Sequence, residues 1–273
     1  MIIYDFKYDG VLLSSKGYMV CTIGGNGLES ASNGSKINFV TVPMRNGLYN
    51  EFITSNYSDC VTATFSICKK PCHDENIQNS GTDMEISLQD FNDLAAWLNR
   101  RKFYRLSFDH ETYTHICFDA SFNLTKREYN GKIYAVDLEM ITNRPHAFLD
   151  EKTESKRLTS SMQFVVEDES NEEGFVYPKT KIIMQGSGTF TLSNTADTNN
   201  DVVIKNCVAG ETIMLEYPMI TTDNVNHRDT IANDFNWNFP RLVNTYTNKT
   251  NTYSVSVNCE LTYYYYPILK IGL

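Results

Sequence analysis

Ser121-Phe122-Asn123-Leu124-Thr125-Lys126 and Lys132-Ile133-Tyr134-Ala135-Val136-Asp137-Leu138-Glu139-Met140 stand on either side of Tyr129-Asn130-Gly131. Asn-Gly between two apolar-rich runs is the strongest short-range hairpin signal, because both residues tolerate the positive φ that a tight turn between twisted strands requires. The stretch reads as an antiparallel hairpin, and strands recur on both sides of it. Upstream, Phe103-Tyr104-Arg105-Leu106-Ser107-Phe108 runs into the polar tip Asp109-His110-Glu111 and returns as His115-Ile116-Cys117-Phe118-Asp119-Ala120. Further back, the β-branched run Cys60-Val61-Thr62-Ala63-Thr64-Phe65-Ser66-Ile67-Cys68 has period-two character and stops at Lys70-Pro71, where proline withdraws a ladder donor. Ile37 to Val42 before the tight turn Arg45-Asn46-Gly47-Leu48, and Tyr18 to Cys21 after the turn Asp9-Gly10, complete the pattern. Downstream of Asn143-Arg144-Pro145-His146, Lys181 to Met184, Thr189 to Leu192, Val202 to Ile204, Thr212 to Glu216, Leu242-Val243 and Tyr253 to Val257 continue it.

One segment departs from that rhythm. Between Ile86 and Asn99, the residues Leu88, Phe91, Leu94, Ala95 and Leu98 fall on one face of an α-helix. Ser87, with Asp90 three residues on, has the form of an N-cap. Arg100-Arg101-Lys102 stands where the helix dipole favours positive charge. A lone helix among strands is expected to lie against a sheet.

At 273 residues the chain suits two domains. It turns polar from Asp150 to Glu173, which places the junction near 150–155: an N-terminal domain of residues 1–150 and a C-terminal domain of 151–273. In the second half, turn signals come roughly every ten residues, the spacing of a sandwich or barrel. The 17 tyrosines and 15 phenylalanines suit half-buried sheet surfaces and, for tyrosine, interfaces. The predicted class is therefore mainly β.

The net charge of −9 argues against phosphate-backbone affinity and hence against sequence-specific nucleic-acid binding. No apolar run approaches the ~20 residues of a membrane span, so membrane insertion is not expected. Met1 to Phe6 lacks the basic and apolar regions of a secretory signal, which predicts a protein made in a cytoplasm. Cys21, Cys60, Cys68, Cys72, Cys117, Cys207 and Cys259 are odd in number and sit mostly in strand-like runs, the usage of reduced thiols.

Catalytic, metal and cofactor sites are all predicted absent. Gly24-Gly25-Asn26-Gly27 is followed by a strand and not by the helix that a phosphate-cradling loop needs. Cys68, Cys72, His73 and Asp74 form one cluster without a second ligand pair. His110 and His115, with Asp109, Glu111 and Asp119 near, read as a solvated hairpin tip. Gly186-Ser187-Gly188 lacks the strand-to-helix turn of a nucleophile elbow. Asp223 to Arg228 reads as a polar connector or a binding loop. The run Leu261-Thr262-Tyr263-Tyr264-Tyr265-Tyr266-Pro267 is aromatic enough to stack a sugar, although alternate tyrosines of a strand face opposite ways and half of them would pack inside. Tyr263 and Tyr265 are taken as the candidate contacts for a partner or glycan.

In their order these features resemble the distal tail (Dit) proteins of long-tailed bacteriophages across nearly the whole chain. The carriers in the first half are Arg45-Asn46-Gly47-Leu48-Tyr49-Asn50, then Val61 to Phe65, the Trp97-Leu98 pair on a single helix, Tyr104 to Glu111 and the closing Asn143-Arg144-Pro145. In the second half they are Tyr177 to Ile182, Gly186 to Asn194, Phe239-Pro240-Arg241-Leu242 and Tyr266-Pro267. The chain departs from the family in carrying Val243-Asn244-Thr245 where Gly-Asn often follows the Pro-Arg-Leu step. The resemblance implies an N-terminal, tail-tube-like β-barrel or split barrel with one helix and a C-terminal galectin-like β-sandwich. It implies a homo-hexameric ring at the virion's tail tip that joins the tail tube protein to receptor-binding and other tip proteins and leaves a channel for DNA. The alternative is a carbohydrate-binding module that contacts host surface glycans, and a β-rich hydrolase is the third reading.

Overall fold

The computed structural model describes residues 5–21, 31–32, 36–44, 47–56, 60–70, 84–109 and 115–270; for 31–32, 36–39, 42–44, 47–56 and 109 only the backbone is described. The chain divides into two compact units, Met1–Phe148 with Lys270–Leu273, and Leu149–Leu269. Both are built of antiparallel strands.

The first unit holds β1 (Asp5–Tyr8), β2 (Val11–Leu12), β3 (Tyr18–Cys21), β4 (Ala31–Ser32), β5 (Lys36–Met44), β6 (Gly47–Asn56), β7 (Thr62–Lys69), helix α1 (Leu88–Leu98), β8 (Tyr104–Asp109), β9 (Cys117–Tyr129), β10 (Lys132–Thr142) and β11 (Ala147–Phe148). Its main sheet runs β2-β1-β8-β9-β10-β7-β3. Among the described residues the end strands β2 and β3 do not meet, so the sheet is split and not closed into a barrel.

The opening hairpin is β9–β10, with Asn130 at φ 51° and Gly131 at φ 74° in its turn. Its register sets Leu124 opposite Leu138 and Phe122 opposite Met140, while Asn123 faces Glu139 and Thr125 faces Asp137. Period-two alternation thus sends one row to the core and the other to solvent. The solvent row is tied by Asn123 donating to Glu139 (3.1 Å), Arg127 to Asp137 (2.7 Å) and Ser66 to Asp137 (2.6 Å). The core row joins Phe6, Tyr8, Phe65, Phe108 and Phe118 in a web of aromatic contacts.

Helix α1 begins with a reciprocal capping box: the Ser87 hydroxyl accepts from the Asp90 N–H, and the Asp90 carboxylate accepts from the Ser87 N–H. Arg100 donates from Nε to the Trp97 carbonyl at 2.9 Å, satisfying an orphan acceptor at the other end. The buried face is Leu94, Trp97 and Leu98, with Trp97 stacked on Phe6 at 6.1 Å. The expected face differs at its start. Leu88, in the first turn, is exposed, and Trp97, which the apolar pattern left off that face, is buried.

The second unit holds β12 (Lys152–Leu158), β13 (Gln163–Glu167), β14 (Gly174–Val176), β15 (Lys179–Met184), β16 (Gly188–Asn194), β17 (Val202–Cys207), β18 (Thr212–Glu216), β19 (Met219–Thr222), α2 (Val225–Arg228), α3 (Ile231–Asp234), β20 (Leu242–Asn244), β21 (Thr250–Val255), β22 (Cys259–Tyr265) and β23 (Ile268–Leu269). Two sheets, β12-β22-β15-β18-β19 and β13-β21-β16-β17, enclose a core that includes Phe164, Ile182, Phe190, Ile204, Ile213, Leu215, Tyr253, Leu261 and Tyr263. β14 and β20 form a short separate ladder. The polar stretch after Asp150 supplies β12 and β13, an edge strand in each sheet, and edge position is why so much of it is hydrophilic.

Candidate interaction surfaces

The tyrosine run is placed by β22, and the inward row is the one expected to make contact. Tyr263 has no exposed surface, stacks on Phe164 at 5.8 Å and lies 5.0 Å from the Tyr253 ring. Burial pushes its phenol pKa well up. Tyr265 is also buried and donates its hydroxyl to the Glu167 carbonyl at 3.2 Å. Both are core residues, so neither presents a ring to a partner or glycan; strand parity gives the outward positions to Tyr264 and Tyr266. Cys72, His73, Asp74, His110 and Glu111 lie outside the described residues, as do the Gly24 to Gly27 loop and the Arg45-Asn46 step. His115 is exposed, and Asp119 is engaged by Arg105 at 3.2 Å. None of the six described cysteines is joined in a disulfide. Cys21 and Cys68 interact across β3 and β7: the Cys21 thiol hydrogen-bonds to Cys68, which lowers Cys68 to about 7 and raises Cys21.

Exposed aromatic side chains gather instead around β14, the β18–β19 turn and residues 235–239. Phe175 on β14 meets Tyr177 edge-on at 5.3 Å. Tyr177 stacks in parallel on Tyr217, 4.4 Å between ring centres and 9° between planes. Tyr217, in the two-residue turn between β18 and β19, meets Phe239 at 5.2 Å. Phe239 meets Phe235 at 5.1 Å, and Phe235 meets Trp237 at 5.6 Å. Phe235 and Phe239 are buried footings, whereas Phe175, Tyr217 and Trp237 are 50%, 58% and 54% exposed. The strip is thus a continuous chain of rings, anchored from below and open above.

Its supports are specific. Trp237 adopts φ 61°, a left-handed conformation that costs a bulky residue about 1–3 kcal/mol. The side-chain carbonyl of Asn236 accepts from the Val203 N–H (3.1 Å) and the Asn238 N–H (3.2 Å). The side-chain amides of Asn236 and Asn238 both donate to the Asp201 carbonyl, at 2.7 and 3.0 Å. The indole N–H donates to the Ala232 carbonyl at 3.1 Å, which fixes the ring while its faces stay open. At the opposite end, Arg241 lies over Phe175 at 4.7 Å and grips Asp197 with two parallel hydrogen bonds of 2.7 and 2.6 Å. That carboxylate raises the guanidinium pKa.

Beneath the segment that carries Trp237 is a buried polar knot. Glu211 accepts from the Thr222 hydroxyl (2.5 Å), pairs with His227 Nδ1 (2.6 Å) and accepts from the Val208 N–H (3.0 Å). His227 Nε2 lies 3.4 Å from the Asp234 carboxylate, which also accepts from Asn206 at 2.9 Å. The knot ties α2 and α3 to β18 and β19, so the exposed stretch from Asp223 to Arg228 contains a short helix, α2, anchored by the buried His227.

In the first unit the open feature is a ribbon. β5 and β6 pair from Lys36↔Asn56 to Met44↔Gly47 with a register shift at Asn38/Phe39, and among the described residues no third strand joins them.

Residues 1–144 match the family model described as phage tail protein N-terminal domain, and residues 146–265 match the one described as phage tail C-terminal domain. The chain belongs to the phage tail protein family. No curated protein matches this phage tail protein. Among solved structures, its fold is similar to that of the Dit protein of phage SPP1, described as a paradigm of the hub adsorption apparatus in phages that infect Gram-positive bacteria: TM-score 0.64, 10% identity, covering 97% of this chain and 99% of that one. The expected distal tail protein fold is therefore the fold of this tail protein.

Proposed function

We propose that this tail protein is the hub of the tail tip. Six copies close into a ring that continues the tail tube, carries the receptor-binding and other tip proteins of the adsorption apparatus, and leaves a channel for DNA. The role is structural and requires no catalysis. The observation that carries the reading is the β5–β6 ribbon. A two-stranded ribbon is marginal on its own, and the edge of a strand is a ready template for another chain. A closed ring of identical copies satisfies all such edges at once, where an open array leaves its ends bare. The family match and the fold of the SPP1 hub support the same reading. A net charge of −9 suits a channel that must release DNA.

Native mass spectrometry tests the proposal with the full chain and a Val40→Pro variant, which weakens the β5–β6 ribbon opposite Glu51. Six copies are expected for the unaltered chain, and a loss of that species for the variant with the far-ultraviolet circular dichroism kept. A hexamer that survives the substitution removes the ribbon from the interface; a chain that stays single at every concentration overturns the ring.

A further inference from the structure

The aromatic strip of the second unit is too well supported to be spare core. Its footings, Phe235 and Phe239, are buried, yet Tyr217 and Trp237 stand more than half exposed. Trp237 holds a left-handed backbone. Three observations define what would sit there. First, the rings are fixed before anything binds: Tyr177 and Tyr217 hold each other in parallel, and the indole N–H is committed to Ala232. Preorganised aromatic faces bind at low entropic cost. Second, the polar group at the end of the strip is the Asp197–Arg241 pair, 11% and 26% exposed. A dry protein interface would strip water from that pair at a cost, whereas a ligand rich in hydroxyls replaces the water in kind. Third, Leu149–Leu269 carries 16 of the chain's 33 acidic residues but nine of its 24 basic ones. A surface of that sign repels polyanions such as phosphate-linked cell-wall polymers.

We propose that the strip from Phe175 to Trp237 binds a neutral saccharide. Pyranose rings lay their C–H faces, which carry small positive charge, on the negative faces of Tyr217 and Trp237. Hydroxyls at the ring edge reach the Asp197 carboxylate and the Arg241 guanidinium. The site goes beyond the hub role and does not depend on ring closure, so a single-copy chain that binds sugar leaves it standing, and a ring that binds none removes it alone.

The test is a fluorescence titration of the full chain with neutral gluco- and galacto-configured oligosaccharides, and with poly(glycerol phosphate) as the anionic arm. Trp237 is the reporter, because the other tryptophan, Trp97, is buried. Saturable change with the neutral oligosaccharides and none with the polyanion is expected. Tyr217→Ala should weaken binding about ten-fold or more. Trp237→Asn, which tolerates the left-handed backbone, should do the same when binding is followed by calorimetry. Tyr246→Ala, an exposed tyrosine outside the ring chain, should leave it unchanged. Absence of binding to every neutral saccharide at millimolar concentration, affinity unaffected by both strip substitutions, tighter binding of the polyanion, or a strip found covered by another protein in assembled tails each overturns the proposal.

Discussion

Replacing His227 by leucine should destabilise the second unit severely. The Glu211 side chain has no exposed surface, and its carboxylate rests on three donors: Thr222, His227 and Val208. Leucine fills most of the imidazole volume but removes both the shortest nitrogen contact to Glu211 and the group facing Asp234. Breaking a buried pair by deleting one partner costs about 3–5 kcal/mol, because the remaining charge is stranded. For a unit of 121 residues that corresponds to a fall of roughly 10–20 °C in melting temperature. Urea unfolding followed by Trp237 fluorescence reads this unit directly. The double substitution Glu211→Leu with His227→Leu should recover part of the loss, since no charge is then stranded. A loss under ~1 kcal/mol for His227→Leu, or a double variant worse than the sum of the two single ones, would mean that the knot does not hold α2 and α3 in place.

In the first unit, Phe122→Ala removes a ring that touches Phe6, Tyr8 and Phe65, and should cost about 3–5 kcal/mol in chemical denaturation. His146 is lowered to about 4, first by burial and then by the Arg144 charge, so the folded chain keeps it neutral where the unfolded chain, at 6.5, takes up a proton. Its contribution is complete above pH 6.5 and is lost as the pH falls from there toward 4; His146→Gln should flatten the melting temperature across that window. With a pKa lowered to about 7, Cys68 should be alkylated by iodoacetamide faster near neutral pH than Cys207 or Cys259, which burial pushes up to about 12, as peptide mapping would show.

Much of the fold is legible in the residues because the governing signals are local. Asn130-Gly131 fixes a turn through backbone freedom, and Ser87 with Asp90 fixes a helix start through two hydrogen bonds between near neighbours. The tyrosine run is legible only to parity. Which of Tyr263 and Tyr264 faces inward is decided by pairing with Thr180 and Lys179 across the sheet, and that register is not a local property. The aromatic strip draws on residues from 175 to 241 that no spacing rule connects, and its one local sign is a tryptophan between two asparagines, Asn236 and Asn238, whose amides clamp the turn. The Glu211–His227 knot was hidden for the same reason: a glutamate in a strand turn and a histidine in a polar run look solvated until the fold brings them within 2.6 Å.

Electron-microscope class averages of the purified full-length chain probe the hub role with the fewest intervening assumptions. Hollow particles with six-fold symmetry are expected. Uniform single copies, or closed particles without a lumen, would contradict the hub.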